Sequence, residues 1–126
     1  MSEEFKVVKT RRDLDVWKNG IELVKRIYVL TSNFPKEEIY TLTSQIRRSA
    51  ISIPSNIAEG AARNSKKEFL QFLYIALGSA AELETQLILA KELSYMKDLN
   101  IFDDLEKLKI QLLDLIKYLK NIDKTA

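Results

Sequence analysis

The sequence has 126 residues, of which 46% are apolar and 30% are charged, with 20 basic and 18 acidic side chains and a formal charge of +2. These values are typical of one folded domain and exclude an intrinsically disordered chain. Cysteine and histidine are absent, which excludes disulfides, thiolate or imidazole metal sites and the commonest general base of enzymes. Because glycine occurs three times and proline twice, long helices are favoured over many short strands.

The chain begins with a short arm and a first helix. Residues 1–11, with Lys6, Lys9 and Arg11, are predicted to form a flexible basic N-terminal arm. Apolar residues then recur at steps of three and four, which predicts a helix over about 13–32. Pro35 marks its end, because proline disfavours helix at the preceding residue. No stretch resembles a signal peptide or a membrane span, so we expect a cytoplasmic protein without membrane contact.

A second apolar stripe predicts a helix over about 40–61, and Gly60 lies where this helix is expected to end. Pro54 falls inside the stripe, so we expect a kink near Ala50 rather than a break. The same helix carries three serines at helical spacing, Ser49, Ser52 and Ser55. Serines on a kinked helix usually bond back to the carbonyl four residues earlier. We prefer this interpretation to a nucleophilic role, because no S-x-x-K motif occurs there.

Two further helices complete the predicted fold. Ser65 and Glu68 have the spacing of a capping box, which starts a helix predicted over about 65–95. A fourth helix is predicted over about 101–122, with Asn100 as its N-cap. Because all connections are short, the sequence predicts one all-α domain over residues 12–122, an antiparallel up-down-up-down four-helix bundle.

The third helix is apolar on more than one side. Ala81, Ile88 and Leu89 add apolar surface outside the stripe that a bundle core requires. Either this helix is the centre of the bundle, or its second face is buried against a neighbouring subunit. We favour the second explanation, because four helices joined by short loops share one core equally. The sequence therefore predicts a homo-oligomer.

Basic side chains are concentrated in the first half of the chain, with 13 basic and 8 acidic residues in 1–67 against 2 and 8 in 68–106. Arg63, Lys66 and Lys67 surround the turn before the third helix, whose N-terminus favours phosphate. Arg47 and Arg48 lie about four turns earlier on the second helix. The group is either solvated surface charge or a footprint for the phosphates of RNA or DNA. No aromatic residue lies between these side chains in sequence, so base stacking is not predicted.

The remaining polar residues predict no catalytic, cofactor or metal site. A carboxylate metal site in a bundle would call for Glu-x-x-His repeats, which a chain without histidine cannot supply. One of Glu82 and Glu84 is expected to pair with an arginine of the second helix, such as Arg47, with solvent exposure as the alternative.

Two sequence runs carry a family resemblance: RRSAISIPSNIAEG at residues 47–60 and ALGSAAELETQL at residues 76–87, preceded by DVW at residues 15–17. They closely resemble the motifs of the bacterial four-helix-bundle family named after the 23S rRNA intervening-sequence protein. The resemblance implies an antiparallel bundle assembled as a ring-like homopentamer, in a family whose function is largely unassigned. Similarity to the accessory variability protein of retroelements implies binding of nucleic acid and a protein partner through basic surface.

These observations predict a non-enzymatic oligomer, with no cofactor, that binds RNA or DNA weakly through phosphate contacts. The residues predicted to make these contacts are Arg47, Arg48, Arg63, Lys66 and Lys67. The alternative function is a protein-interaction scaffold with no nucleic-acid role, which presents the acidic surface of the third helix to a basic protein. The expected partners are therefore further copies of the chain, together with either nucleic acid or another protein.

Overall fold

The computed structural model describes residues 10–125 and contains four long helices in this range. They are α1 (Arg11–Thr31), α2 (Leu42–Ala61), α3 (Lys66–Glu92) and α4 (Asn100–Thr125), with a short 3-10 helix at Lys36–Glu38 between α1 and α2. Residues 10–125 contain no β-strand, so the all-α class is confirmed. The predicted N-terminal arm falls on residues 1–9, outside the described residues, and on Thr10 and Arg11, which belong to the start of α1.

Each helix contributes an apolar stripe to one shared core. Residues three and four positions apart lie on the same side of a helix, so the periodic positions face inward together. Full burial of one large aliphatic side chain stabilises the fold by about 1.5–3 kcal/mol. The large aliphatic side chains of lowest exposure, at most 2%, are Leu23, Ile27, Ile46, Ile53, Ile57, Leu73, Leu83, Leu87, Leu105, Leu108 and Leu112.

A glycine allows α2 and α3 to approach closely. A Cβ atom added at Gly60 would lie 2.6 Å from Cβ of Phe72 and 3.0 Å from Cδ1 of Phe69. Gly60 is inside the last turn of α2, since the helix continues to Ala61 and is capped by Ala62. The helix thus ends one residue after Gly60, next to the position where the sequence places its end. The missing side chain of Gly60 also makes room for α3.

The contact between α1 and α2 is also close at one point. A Cβ atom added at Gly20 would lie 3.3 Å from Cβ of Pro54. Pro54 is buried, and α2 continues through it as a single helix. The kink expected near Ala50 remains a prediction.

The third helix ends at Glu92, three residues before the predicted end, in a Schellman motif. The amide of Tyr95 donates to the carbonyl of Ala90 at 3.0 Å, and the amide of Ser94 donates to Lys91 at 2.9 Å. Ser94 has a φ of 63°, which is left-handed backbone that usually belongs to glycine. The turn after α3 therefore carries a serine in a strained conformation.

The loops at one end of the protein are joined by an aromatic and a carboxylate contact. The rings of Phe34 and Tyr95 lie 5.7 Å apart, and the Tyr95 hydroxyl donates to Glu38 Oε2 at 2.6 Å. Hydrogen bonds from Thr41 and Tyr95 lower the pKa of the Glu38 carboxyl. The hydrogen bond to Glu38 in turn raises the pKa of Tyr95. This network, the loop tether, connects the α1–α2 loop to the α3–α4 loop.

The contact between α1 and α4 contains polar side-chain bridges and two open grooves. The Asn19 side chain donates to Gln111 at 2.9 Å, and Arg26 pairs with Asp104 at 3.2 Å. Two grooves of 480 and 490 Å³ run along this seam and share Glu22, Arg26 and Asp104 as lining residues. Side-chain bridges at the surface therefore hold α1 to α4 where apolar packing is incomplete.

Candidate nucleic-acid interface

The five predicted basic residues lie in two separate places. Arg47 and Arg48 lie in the first half of α2, whereas Arg63, Lys66 and Lys67 surround the α2–α3 turn. Arg63 follows Arg47 by sixteen positions, which correspond to about 24 Å along a helix. One continuous patch of all five side chains is therefore not formed within a single chain.

The first pair is partly engaged in packing. The Arg47 Nε donates to the buried hydroxyl of Thr31 at 2.9 Å, and its guanidinium lies 4.5 Å from the centroid of the Tyr28 ring. Arg47 thus connects α2 to the end of α1. Arg48 is exposed and lies at the edge of a polar notch between α2 and α3.

The prediction of an ion pair between Arg47 and a glutamate of α3 is wrong. Glu84 pairs instead with Lys109 of α4 at 3.1 Å. Glu82 accepts a hydrogen bond from Ser49 at 2.8 Å. Arg47 faces α1 rather than α3, because it lies on the opposite flank of α2 from Ser49. An interhelical ion pair exists, but it joins a different pair of helices.

The second group, which we call the turn cluster, consists of Arg63, Lys66 and Lys67. Arg63 forms an ion pair with Glu59 at 3.1 Å and lies 4.8 Å from the centroid of the Phe72 ring. Lys66 is half-buried, and Lys67 is exposed. The hydroxyl of Ser65 caps α3 as predicted, accepting from the amide of Glu68 at 3.0 Å. The turn cluster therefore combines three cations with the positive end of a helix dipole.

Aromatic rings lie beside several basic side chains, which the sequence does not reveal. The Arg12 guanidinium lies 4.0 Å from the centroid of the Tyr118 ring, and Lys120 Nζ lies 5.1 Å from that of Tyr74. Arg12 and Tyr118 belong to the first and last helices. Spacing along the chain cannot bring them together. The pair could have been predicted only from the expected antiparallel bundle itself, which places the start of the first helix beside the end of the last.

A pocket of 310 Å³, which we call the end pocket, lies beside the turn cluster. It is enclosed by the start of α1, the α2–α3 turn and the end of α4. Its lining residues are Thr10, Asp13, Arg63, Asn64, Ser65, Lys66, Phe69, Tyr118, Leu119 and Ile122. The pocket therefore combines aromatic and aliphatic walls with basic side chains of the turn cluster.

Comparison with known proteins gives a family for this geometry. The family model of the 23S rRNA-intervening sequence protein matches residues 12–120. The chain belongs to this family. A solved structure, a protein of unknown function from the S23 ribosomal protein family of Bacteroides thetaiotaomicron VPI-5482, is similar with 30% identity and a TM-score of 0.78. The alignment covers 84% of this chain and 98% of that one. No curated protein matches the chain.

In this member of the 23S rRNA intervening-sequence family, the two motif runs face each other across the α2–α3 contact. The Ser49 hydroxyl lies 2.8 Å from Glu82 Oε1 and 2.9 Å from Gln86 Oε1. The hydroxyls of Ser52 and Ser79 are 2.7 Å apart. We call these five residues the polar seam. Ser49 and Ser52 therefore connect two helices, and the expectation that they bond back to their own helix is wrong.

The outer side of α3 leaves large apolar side chains uncovered. The most exposed of them are Tyr74, Ile75, Ile88 and Leu89, at 45–51%. Among the described helices, α3 alone is long and apolar enough to cross a membrane, a weak indication that core helices of soluble proteins share. Seven of its residues are buried in the core of this chain. The exposed side, the α3 face, is thus additional to the core-facing side.

Metal-ligating side chains are not grouped in this structure. Within residues 10–125, no three or more histidine, cysteine, aspartate or glutamate side chains come together to hold an ion. The acidic residues near the polar seam and the α3–α4 contact are bound by serine or lysine side chains instead.

Proposed function

We propose that this protein is a non-enzymatic, cytoplasmic homo-oligomer of an antiparallel four-helix bundle that binds RNA or DNA weakly through phosphates. The observation that carries the nucleic-acid role is the turn cluster, in which three cations surround the N-terminus of α3. Lysine and arginine bind phosphates by displacing condensed counterions, a contribution independent of sequence. Arg48 is the exposed member of the second basic group, and Arg47 adds charge beside it.

Side-chain contacts support the antiparallel order of the bundle. In each neighbouring pair, residues early in one helix contact residues late in the other, as expected when helices alternate in direction. The contacts are Thr31 with Arg47, Gly20 with Pro54, Ser49 with Gln86, Ser52 with Ser79, Glu84 with Lys109, Tyr74 with Lys120, Asn19 with Gln111 and Arg26 with Asp104.

The nucleic-acid role is tested by replacing the turn cluster. We expect the triple substitution of Arg63, Lys66 and Lys67 by glutamine to lower affinity for structured RNA and duplex DNA alike. It should also reduce the dependence of log affinity on log salt by about 1 per side chain. Fluorescence anisotropy between low and moderate salt gives both values.

The matched control removes the same charge from the other end of the protein. It replaces Lys36, Lys91 and Lys97, which are all exposed, by glutamine. Equal loss of affinity in both triple variants would show that net charge, not the turn cluster, governs binding. If wild-type protein at micromolar concentration does not bind structured RNA at low salt, the nucleic-acid role is refuted.

The oligomer is supported by two exposed apolar surfaces on different sides of the chain. One is the α3 face. The other is a groove of 360 Å³ between α1 and α2, with Trp17, Ile21 and Ile51 among its lining residues. Two different complementary surfaces give a head-to-tail contact, which closes into a ring when the rotation allows it. A ring repeats the turn cluster around its axis, so that several weak contacts act together.

Light scattering on the purified protein tests the assembly. We propose that the ring has five subunits, as the family resemblance implies, which gives a mass of about 73 kDa, five times the chain mass of 14.6 kDa. Ile75→Asp places a charge on the α3 face and is expected to yield monomers. Val29→Asp, a substitution at a position of 70% exposure on α1, is the control and should leave the mass unchanged. A wild-type monomer of 14.6 kDa at micromolar concentration would refute the oligomer.

A second candidate function is a scaffold for a basic protein. The observation that favours it is the loop after α1, where Tyr40 is 90% exposed and Ile39 is 45% exposed. Exposed Glu37 lies close by in sequence, so the loop offers an aromatic anchor with negative charge. Affinity capture with and without nuclease separates the two functions: protein partners that survive nuclease favour the scaffold.

A further inference from the structure

The end pocket has a shape and lining that suit one nucleotide unit. Its volume of 310 Å³ is at the lower end of the range for ligand pockets, about 300–1,000 Å³. Phe69 and Leu119 contribute apolar surface inside it, while Arg63 and Lys66 contribute positive charge from the turn cluster. A ligand that matches this lining has a flat, weakly polar part and an anionic part.

The wall formed by α4 provides a surface for stacking. Tyr118 is 41% exposed, and the Arg12 guanidinium lies over its ring at 4.0 Å from the centroid. Unpaired bases stack on aromatic rings and on the planes of arginine guanidinium groups. The Arg12–Tyr118 pair is therefore two layers of a stack that a base can extend.

The lining of the end pocket gives it a direction. Phe69 and Leu119 provide its apolar surface, and Asp13, which also lines it, is 2% exposed. The exposed Arg63 attracts phosphates at the edge. The base is thus favoured inside the pocket and the backbone outside it.

We infer that the end pocket binds one unpaired base of a single-stranded nucleic acid, stacked on the Arg12–Tyr118 pair, with Arg63 and Lys66 on the adjoining phosphates. The inference rests on the proposed function and deepens it, because phosphate contacts alone do not separate single strands from duplexes. In a duplex the faces of each base are already stacked on neighbouring bases and are not available to the Tyr118 ring. The preferred substrate is therefore a single strand, either RNA or DNA.

The test compares single strands with an abasic strand that has the same number of phosphates, and with duplexes whose bases are already stacked. Labelled single strands of RNA and of DNA, about 12 nucleotides long, are compared with their duplexes and with an abasic strand of equal length. Fluorescence anisotropy with the full chain at low salt reports each affinity. We expect at least one of the base-containing single strands to bind about fivefold or more tightly than the abasic strand and its own duplex.

Substitutions in the stacking pair locate the effect. Tyr118→Leu should weaken single-strand binding about 5- to 100-fold and leave abasic binding unchanged, whereas Tyr118→Phe retains the ring and the affinity. Arg12→Lys retains the charge but removes the planar guanidinium, and it should weaken single-strand binding without affecting the core. Tyr40→Leu, at the exposed tyrosine near the opposite end of α2, is the matched control and should have no effect.

The possible outcomes separate this inference from the proposed function. If abasic and base-containing strands bind equally, or if Tyr118→Leu and Arg12→Lys both retain single-strand affinity, the base site is refuted while phosphate binding stands. If no probe binds, both are refuted. Because Arg12 is exposed, its variant provides the answer even where Tyr118→Leu fails to fold.

Discussion

Replacing Gly60 with alanine tests whether the close approach of α2 and α3 controls stability. The added Cβ would lie 2.6 Å from Cβ of Phe72, whereas ordinary contacts begin at 3.4 Å, so the helices would have to separate by about 0.8 Å. The clash involves an atom fixed to the backbone of α3, which no rotamer change can move. Overpacking of this kind costs about 1–3 kcal/mol. Alanine regains about 0.5–1 kcal/mol of helix propensity, so the expected net loss has a central value of about 1 kcal/mol and an upper limit of about 2.5 kcal/mol.

Urea unfolding followed by circular dichroism gives the free energy of unfolding of each variant. Gly78→Ala is the reference, because a Cβ added there meets nothing within 4 Å, and it should stabilise the chain by about 0.5–1 kcal/mol. Both variants are measured at two protein concentrations, since a second copy packed on the α3 face would make the Gly78 effect depend on concentration. If Gly60→Ala is as stable as wild type, the helices can separate without penalty and the packing argument fails.

Three further predictions concern single contacts. Ser94→Gly should relieve the left-handed strain after α3 and raise the unfolding free energy by about 1 kcal/mol, measured in urea, whereas Ser94→Ala should give no gain. Because the pKa of Glu38 is lowered in the fold, its contribution is present above the unfolded pKa and is lost as the pH falls through the folded pKa. Glu38→Gln should therefore make stability less sensitive to acid; an unchanged acid profile in unfolding experiments would contradict this. The raised pKa of Tyr95 acts in the opposite direction. Its contribution to stability is present below the unfolded pKa and is lost as the pH rises through the folded pKa. Alkaline unfolding of wild type compared with Glu38→Gln measures this contribution. Ser49→Ala removes a buried hydroxyl bonded to α3 and should lower the free energy of unfolding, measured by thermal unfolding, by about 1–2 kcal/mol. Ser55→Ala, at an exposed position, should change this free energy by less than about 0.5 kcal/mol.

Periodicity was sufficient to predict most of the core positions of α2, α3 and α4, because the helical repeat is a property of neighbouring positions along the chain. It did not identify the buried side of α1, where the periodic Ile21 and Tyr28 are exposed and Val16, Leu23 and Ile27 are buried instead. The four helices are confirmed, and Ile53 and Leu83 are buried where the apolar stripes place them. Local signals also identified the cap of α3, since Ser65 and Glu68 are only three positions apart. The end of α3 was missed because its left-handed residue is a serine, whose sequence gives no stop signal comparable to glycine.

Contacts between helices were much harder to predict. Gly60 and Ser49 were assigned local roles, yet both are explained by the distance between α2 and α3, which sequence spacing does not contain. The same limit applies to the candidate site. The basic residues of the turn cluster were recognisable from their proximity in sequence. The Arg12–Tyr118 pair was not, because it depends on how α1 and α4 come together.

The open seam between α1 and α4 determines which part of the fold undergoes local opening first. Local opening starts where few buried apolar contacts resist it, and the two grooves flanking the Arg26–Asp104 bridge mark such a place. The α2–α3 contact is held together by the glycine approach and by the hydrogen bonds of the polar seam, which lines the notch beside Arg48, and it is expected to open last. Amide hydrogens of the α1–α4 seam should then exchange through fluctuations that leave α2 and α3 paired. A chain built in this way can admit water or a ligand along one side without losing its folded half.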